Sequence, residues 1–316
     1  MNDMTEPFWH VVADPLFGGA FRNLWPMLVM PALAAIISER AARLLPKTPD
    51  AWRPAAMLAA LPGVATLGAM VPLFLTDGHI TTWRGVVLLE LTPLVALAVI
   101  GYAIIRALLR QREVALLFRA GKAPRPRLAE AASRLGLTAL ELNTDGKECF
   151  VAGVLRPTVF LSRGALDGLT DQELDAALHH ERAHVHGRDT LMLFVLAILR
   201  DLAPYGRPTA LDAFQAAREA TADKAAARHA GPLNLASALV ALARQSAPRD
   251  GFRAALPMAK HDTLRWRMQA ILETGEPVEP TKASWMGVAG GVAANAALAV
   301  WPAAQITLVY VVCAVG

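Results

Sequence analysis

Two short residue pairs, each spaced four apart, constrain this chain more than any other feature of it. The first is His180 and His184, in His180-Glu181-Arg182-Ala183-His184, a match to HExxH. The second is Glu219 and Asp223, in Arg218-Glu219-Ala220-Thr221-Ala222-Asp223. Residues four apart on an α-helix share a face. Each pair therefore reads as two side chains projecting from one helix. If both pairs serve one centre, two helices some thirty residues apart in the chain must pack face to face.

The residue types say what such a centre would do. Two imidazoles on one helix face can bind a single Zn²⁺, and a catalytic zinc takes three protein ligands with one position left open. His180 and His184 are the first two candidate ligands, and Glu219 is the third. Asp223 would lie behind the ligands, bonding the outer nitrogen of a ligating histidine and fixing its tautomer. Glu181, next to the metal, is the candidate general base for the attacking water. Arg228 and His229, just beyond Asp223, are candidates to stabilise the oxyanion. His179 and His186 belong to other faces of the same helix and read as solvated.

Around this stretch, 54% of the 316 residues are hydrophobic and the mean hydropathy is +0.36, so membrane segments are expected. Leu24–Ser38, extendable to Leu45, Pro54–Thr76 and Gly85–Ile105 are three apolar runs, the last holding Glu90 as an intramembrane candidate of functional interest. A fourth run, 283–316, carries no charged residue. Arg40, Arg43, Lys47 and Arg53 follow the first run, and a dense basic stretch follows Arg106. The positive-inside rule then expects the N-terminus outside and the histidine cluster in the cytoplasm of a bacterial inner membrane. MNDMTEPFW does not read as a cleavable signal. A net charge of +4 is too small to imply nucleic acid, and Cys149 and Cys313 form neither a ligand pair nor a disulfide framework.

The expected organisation is therefore an N-terminal region with three transmembrane helices (1–109), a cytoplasmic zinc domain (110–282) and a terminal transmembrane segment (283–316). Within the middle region, LAEAASRLGL (128–137) reads as an amphipathic helix. TALEL, CFVAGV and PTVFLS read as short strands around an Asp145-Gly146 turn. Thr170 with Glu173 forms a capping box that opens the histidine helix. LMLFVLAIL (191–199) is too short to span and is expected to be buried. Helices follow at 210–230, 233–245 and 261–273. The run Pro157–Ser162 is the expected edge strand for an extended peptide.

HHERAHVHGRD followed by EATAD resembles the integral-membrane gluzincin peptidases, which carry HExxH and a downstream ExxxD. The three N-terminal runs, and the entry VAGVLRPTVFLSRGALDGLTDQELDAALHHERAH with Gly153, Pro157 and Leu161, are similar to the BlaR/MecR antirepressor metallopeptidases. The resemblance covers roughly residues 20–275. It implies a mainly α, α+β protein in which polytopic transmembrane helices hold a zincin-like domain with a small β-sheet. It also implies one zinc per chain, bound by His180, His184 and Glu219, with Glu181 as base and Asp223 behind the ligands. The activity implied is hydrolysis of a cytoplasmic or membrane-tethered protein, a regulatory cleavage; with short external loops expected, a membrane partner is one route for its signal. Arg182 stands where that family more often has an apolar residue. No extracellular sensor domain is expected after 283–316, so a β-lactam receptor is not implied. Two other functions fit the same residues: an HtpX-like or CAAX-type housekeeping protease of the bilayer, and a non-catalytic receptor or scaffold that retains a metal site.

Overall fold

The computed structural model describes residues 19–75, 83–203, 209–243, 256–257, 261–272, 286, 289–294 and 297. The side chains of 19–28, 71–75, 83–94, 256–257 and 261–263 are excepted, so the Glu90 side chain lies outside the description, as do the N-terminal residues and most of 283–316. Three long helices come first: α1 (Gly19–Ala42), α2 (Trp52–Leu75) and α3 (Trp83–Ala120). β1 (Gly121–Lys122), α4 (Pro126–Arg134), β2 (Ala139–Leu142), β3 (Cys149–Ala152) and β4 (Thr158–Ser162) follow. Then come α5 (Arg163–Gly168), α6 (Asp171–His186), α7 (Asp189–Leu202), α8 (Thr209–Ala230), α9 (Pro232–Ala243), β5 (Leu256–Pro257) and α10 (His261–Leu272). The fold is mostly helical with one small mixed sheet.

The sheet runs β1-β2-β4-β3-β5, with β2 and β4 parallel and the other pairs antiparallel. CFVA and TVFLS are buried throughout because both sheet faces are covered. Side chains alternate along a strand. Cys149, Val151, Val159 and Leu161 therefore join the main core with α4, α5, α6, α8 and α9, while Phe150, Ala152 and Phe160 face the other way. There the C-terminal end of α3 closes over them through Leu117 and Phe118, with Phe118 edge-on to Phe160 at 5.2 Å. The register corrects one expectation. Thr158–Ser162 pairs with β2 on one side and β3 on the other, so the run beginning at Pro157 is the centre of the sheet and its hydrogen bonds are already used. It offers no edge to a peptide.

The expectation of polytopic transmembrane helices, and with it placement in a bacterial inner membrane with a set orientation, is overturned. Among the described residues no helix is both long and apolar enough to cross a membrane. Over their described residues the three apolar runs are helical, but charges interrupt or bound them: Arg22, Glu39 and Arg40 in α1, Arg53 in α2, and Arg84, Glu90 and Arg106 in α3. Their small side chains serve helix–helix packing. Ala55 and Ala56 of α2 meet Leu196 of α7 and Phe214 of α8, and Leu58 meets Ala41 and Ala210. Gly63 passes so close to α7 that a Cβ there would collide with the Leu199 carbonyl. Gly291 approaches Ala41 in the same way. Ile36, Met57, Val64, Leu67, Ile104 and Ile105 stay exposed on the outer faces of these helices. α3 also runs unbroken through residue 110, where a domain boundary was expected.

Candidate metal centre

The histidine helix α6 begins with the expected capping box: Glu173 N–H donates to Thr170 Oγ1, and the Glu173 carboxylate accepts from Thr170 N–H at 2.8 Å. Leu174, Ala177 and Leu178 anchor one face in the core. That docking carries His180, Glu181 and His184 inward until all three are buried. α8 packs against α6 with a face rich in small residues, Ala217, Ala222 and Ala226 among them. Short side chains let the two helices approach closely, which brings Glu219 and Asp223 to the histidines.

His180 Nε2 lies 3.1 Å from His184 Nε2. Glu219 Oε2 is 3.5 Å from the first, and Glu219 Oε1 is 3.6 Å from the second. Zinc at about 2.0–2.1 Å from its ligands, in a tetrahedron, would set neighbouring ligand atoms about 3.3 Å apart. The two imidazole nitrogens are thus at the spacing of one tetrahedral edge, and the Glu219 carboxylate presents one oxygen to each of them at close to that spacing. His180, His184 and Glu219 can hold a metal ion.

The charges around these atoms also fit a dication. Among the described residues, four carboxylates, of Glu181, Asp189, Glu219 and Asp223, face two guanidinium groups, of Arg218 and Arg267, all buried or nearly so. With both imidazoles neutral the cluster is two charges short of balance. A buried net charge is costly, and a divalent cation would cancel this one.

Each ligand is held from behind. His184 donates its Nδ1 proton to Asp189 Oδ2 at 2.7 Å, which leaves the Nε2 lone pair for a metal. His180 Nδ1 contacts Asp223 Oδ1 at 3.0 Å. Burial alone would lower the His180 pKa, but Asp223 and Glu219 raise it to about 9, so without metal this ring carries a proton at neutral pH. Burial likewise opposes ionisation of Glu219 and Asp223. Arg267 and His180 outweigh it, holding Glu219 below the usual range and Asp223 at about 2.

Glu181 is in a different position. Both carboxylate oxygens are buried without a hydrogen-bond partner among the described residues. Burial raises its pKa, against the pull of His180 and His184. The Cys149 thiol on β3 is its neighbour, and that thiol is pushed up by burial and then by the Glu181 charge. A buried polar group without a partner is a candidate for work on a ligand or water. Arg228 and His229 are exposed, and His229 stacks on His179 at 4.8 Å, so neither belongs to the metal cluster. His186 is exposed as well.

Three members of the site were not singled out from the sequence. Asp189 reaches His184 because α6 ends at Gly187 and Arg188 takes a left-handed conformation (φ 50°), turning the chain back toward the imidazole. A side chain on Gly187 would strike Arg218, which approaches Asp189 Oδ1 at 2.7 Å. Arg267 of α10 grips Asp223 with Nε at 2.8 Å and Nη2 at 2.6 Å, and meets Glu219 Oε2 with Nη1 at 2.8 Å. One local signal marks it: Arg267 shares a helix face with the core-packed Leu264, Met268 and Ile271, where a cation requires a buried partner.

No protein-family model matches this chain, and no curated protein matches it either.

Proposed function

We propose that the protein is a zinc-dependent metalloendopeptidase of the gluzincin type, cleaving peptide bonds in a protein substrate. The observation that carries this reading is the convergence of His180, His184 and the Glu219 carboxylate at metal-ligand spacing, with the Glu181 carboxylate buried beside them and no hydrogen-bond partner for it among the described residues. A zinc ion held by those three residues would supply Lewis acidity toward a peptide carbonyl and make water more acidic. The protein's own groups do the rest. Glu181 accepts the proton of the attacking water and delivers it to the leaving amine nitrogen. Asp189 and Asp223 keep the imidazoles oriented through their outer nitrogens. Arg267 keeps Glu219 ionised and fixed. Neutral histidines are the competent form, so the His180 proton must leave before metal binds.

Within this class, the resemblance of HHERAHVHGRD and EATAD to the BlaR/MecR peptidases supports a regulatory protein as the substrate. The test compares purified wild type, Glu181→Gln and His184→Ala for zinc content and for hydrolysis of a quenched-fluorescence peptide library. The expected result is one zinc in the first two, none in the third, and cleavage by wild type alone. Zinc-independent cleavage, or full activity of Glu181→Gln, would remove the proposal.

A further inference from the structure

α3, α7 and α8 enclose a cavity of about 590 Å³ that the hydrolytic chemistry does not use. Gly153, just past the end of β3, and Thr190 form part of its wall, and the Thr190 hydroxyl donates to the Gly153 carbonyl at 2.8 Å. Thr190 directly follows Asp189, the residue that orients His184, so the cavity begins one residue from the metal centre.

Its lining is unevenly charged. Arg106, Arg110 and Arg112 of α3 and Arg200 of α7 face the carboxylates of Glu113 and Asp212. Arg110 and Arg200 share Asp201, in a very close contact for the first and at 3.1 Å for the second. Even so, Arg106 Nε and Arg110 Nη1 are buried with no hydrogen-bond acceptor among the described residues. Burial, then the charges of Arg200 and Arg106, lowers the Arg110 pKa; burial and Arg106 do the same to Arg200. Donors left without acceptors and cations crowded against one another both favour an incoming anion. Apart from the amides of Gln111 and Gln215, the rest of the wall, including Val154, Leu193 and Phe194, is apolar. A small inorganic anion would fill little of this volume and use none of that surface.

We infer that the cavity binds an acidic segment of a polypeptide, with a carboxylate meeting Arg106, Arg110 and Arg200 and flanking apolar side chains meeting Leu193 and Phe194. This rests on the peptidase reading for the claim that the bound segment belongs to the substrate. The site then selects substrates by charge before cleavage.

The test uses two fluorescein-labelled octapeptides, one alternating Glu and Leu and the other alternating Gln and Leu. Binding is followed by fluorescence anisotropy on the full zinc-loaded chain carrying Glu181→Gln, and cleavage on the otherwise wild-type chain. The acidic peptide is expected to bind on the order of tenfold tighter at low salt, with the preference shrinking as salt rises. Arg106→Glu should abolish the preference, Arg106→Lys should largely retain it, and Arg200→Gln should reduce it, with zinc content unchanged throughout. Equal binding of the two peptides overturns the inference, as does a preference that survives both Arg106→Glu and Arg200→Gln. Binding of anionic lipid vesicles in place of the acidic peptide overturns it too. Arg106-dependent binding without any cleavage by wild type would leave the cavity standing and remove the peptidase reading. Cleavage without charge preference would do the reverse.

Discussion

Asp189 and Thr190 are consecutive residues that border two different clusters of charge, one buried and one partly exposed. On the Asp189 side, carboxylates outnumber guanidinium groups and gather around one small group of ligand atoms, Glu219 directly and Asp189 and Asp223 from behind the imidazoles. On the Thr190 side, guanidinium groups outnumber carboxylates, and they are spread around a cavity of about 590 Å³. The first arrangement suits a compact dication, whose field falls on a few fixed donors. The second suits a larger, amphipathic anion. The difference also concerns rigidity. Groups of the metal centre are cross-braced by α6, α8 and α10, whereas in the cavity Arg110 and Arg200 lean on one shared acid, Asp201.

The comparison breaks first at Glu181. Glu181→Gln should reduce hydrolysis by roughly 10²–10⁴-fold with zinc content unchanged, measured by peptide turnover and metal analysis. A similar loss in a cavity variant such as Arg106→Gln would show that the two clusters are one machine. Arg267→Ala comes next. It leaves Glu219 and Asp223 buried without their cation, an expected loss of about 3–5 kcal/mol in the metal-free protein, read by urea unfolding. Added zinc should recover part of that loss, because the ion supplies positive charge to the same carboxylates.

Asp189→Asn preserves shape but removes the charge behind His184, and zinc affinity should fall about 10–100-fold in competition with a chelator. Acid–base titration then sharpens the contrast. His180 must lose a proton held to about pH 9, so zinc affinity should rise about tenfold per pH unit from near neutrality up to that value. In the metal-free protein the raised His180 pKa stabilises the fold fully below about 6.5, and this is lost as pH rises through about 9. Asp223, held at about 2, contributes above its ordinary 3.8 and loses that contribution as pH falls toward 2. The smallest effect is expected at the start of α6. Thr170→Ala removes the cap at a cost of about 1 kcal/mol, visible as a lower urea midpoint with metal content unchanged.

Much of this architecture is legible locally. The capping box at Thr170 and Glu173, the Gly136 and Gly187 helix ends and the apolar runs CFVA and TVFLS state their elements through short-range chemistry. The i,i+4 spacing in both motifs puts the candidate ligands on common faces. Strand order is another matter. Nothing within PTVFLS says that it is central, because a buried edge strand and a buried central strand have the same composition; only pairing with both β2 and β3 separates them. Hydropathy misleads for a related reason. An alanine-rich helix that packs against α7 and α8 averages as apolar as one meant for lipid, and the average does not record what the side chains touch.

By itself, then, the sequence determined most of the helices, the three main strands and the identities of the ligand-type residues, since these follow from neighbours within a few positions; the short α5 and the extension of α3 to Ala120 it did not mark. The tertiary structure decided that the two motifs converge, that Asp189 turns back on His184, that Arg267 reaches across 44 residues to grip Asp223, and that four arginines share a cavity with two acids. Those outcomes depend on which faces pack together. Packing is a property of the whole chain, so no local spacing encodes it.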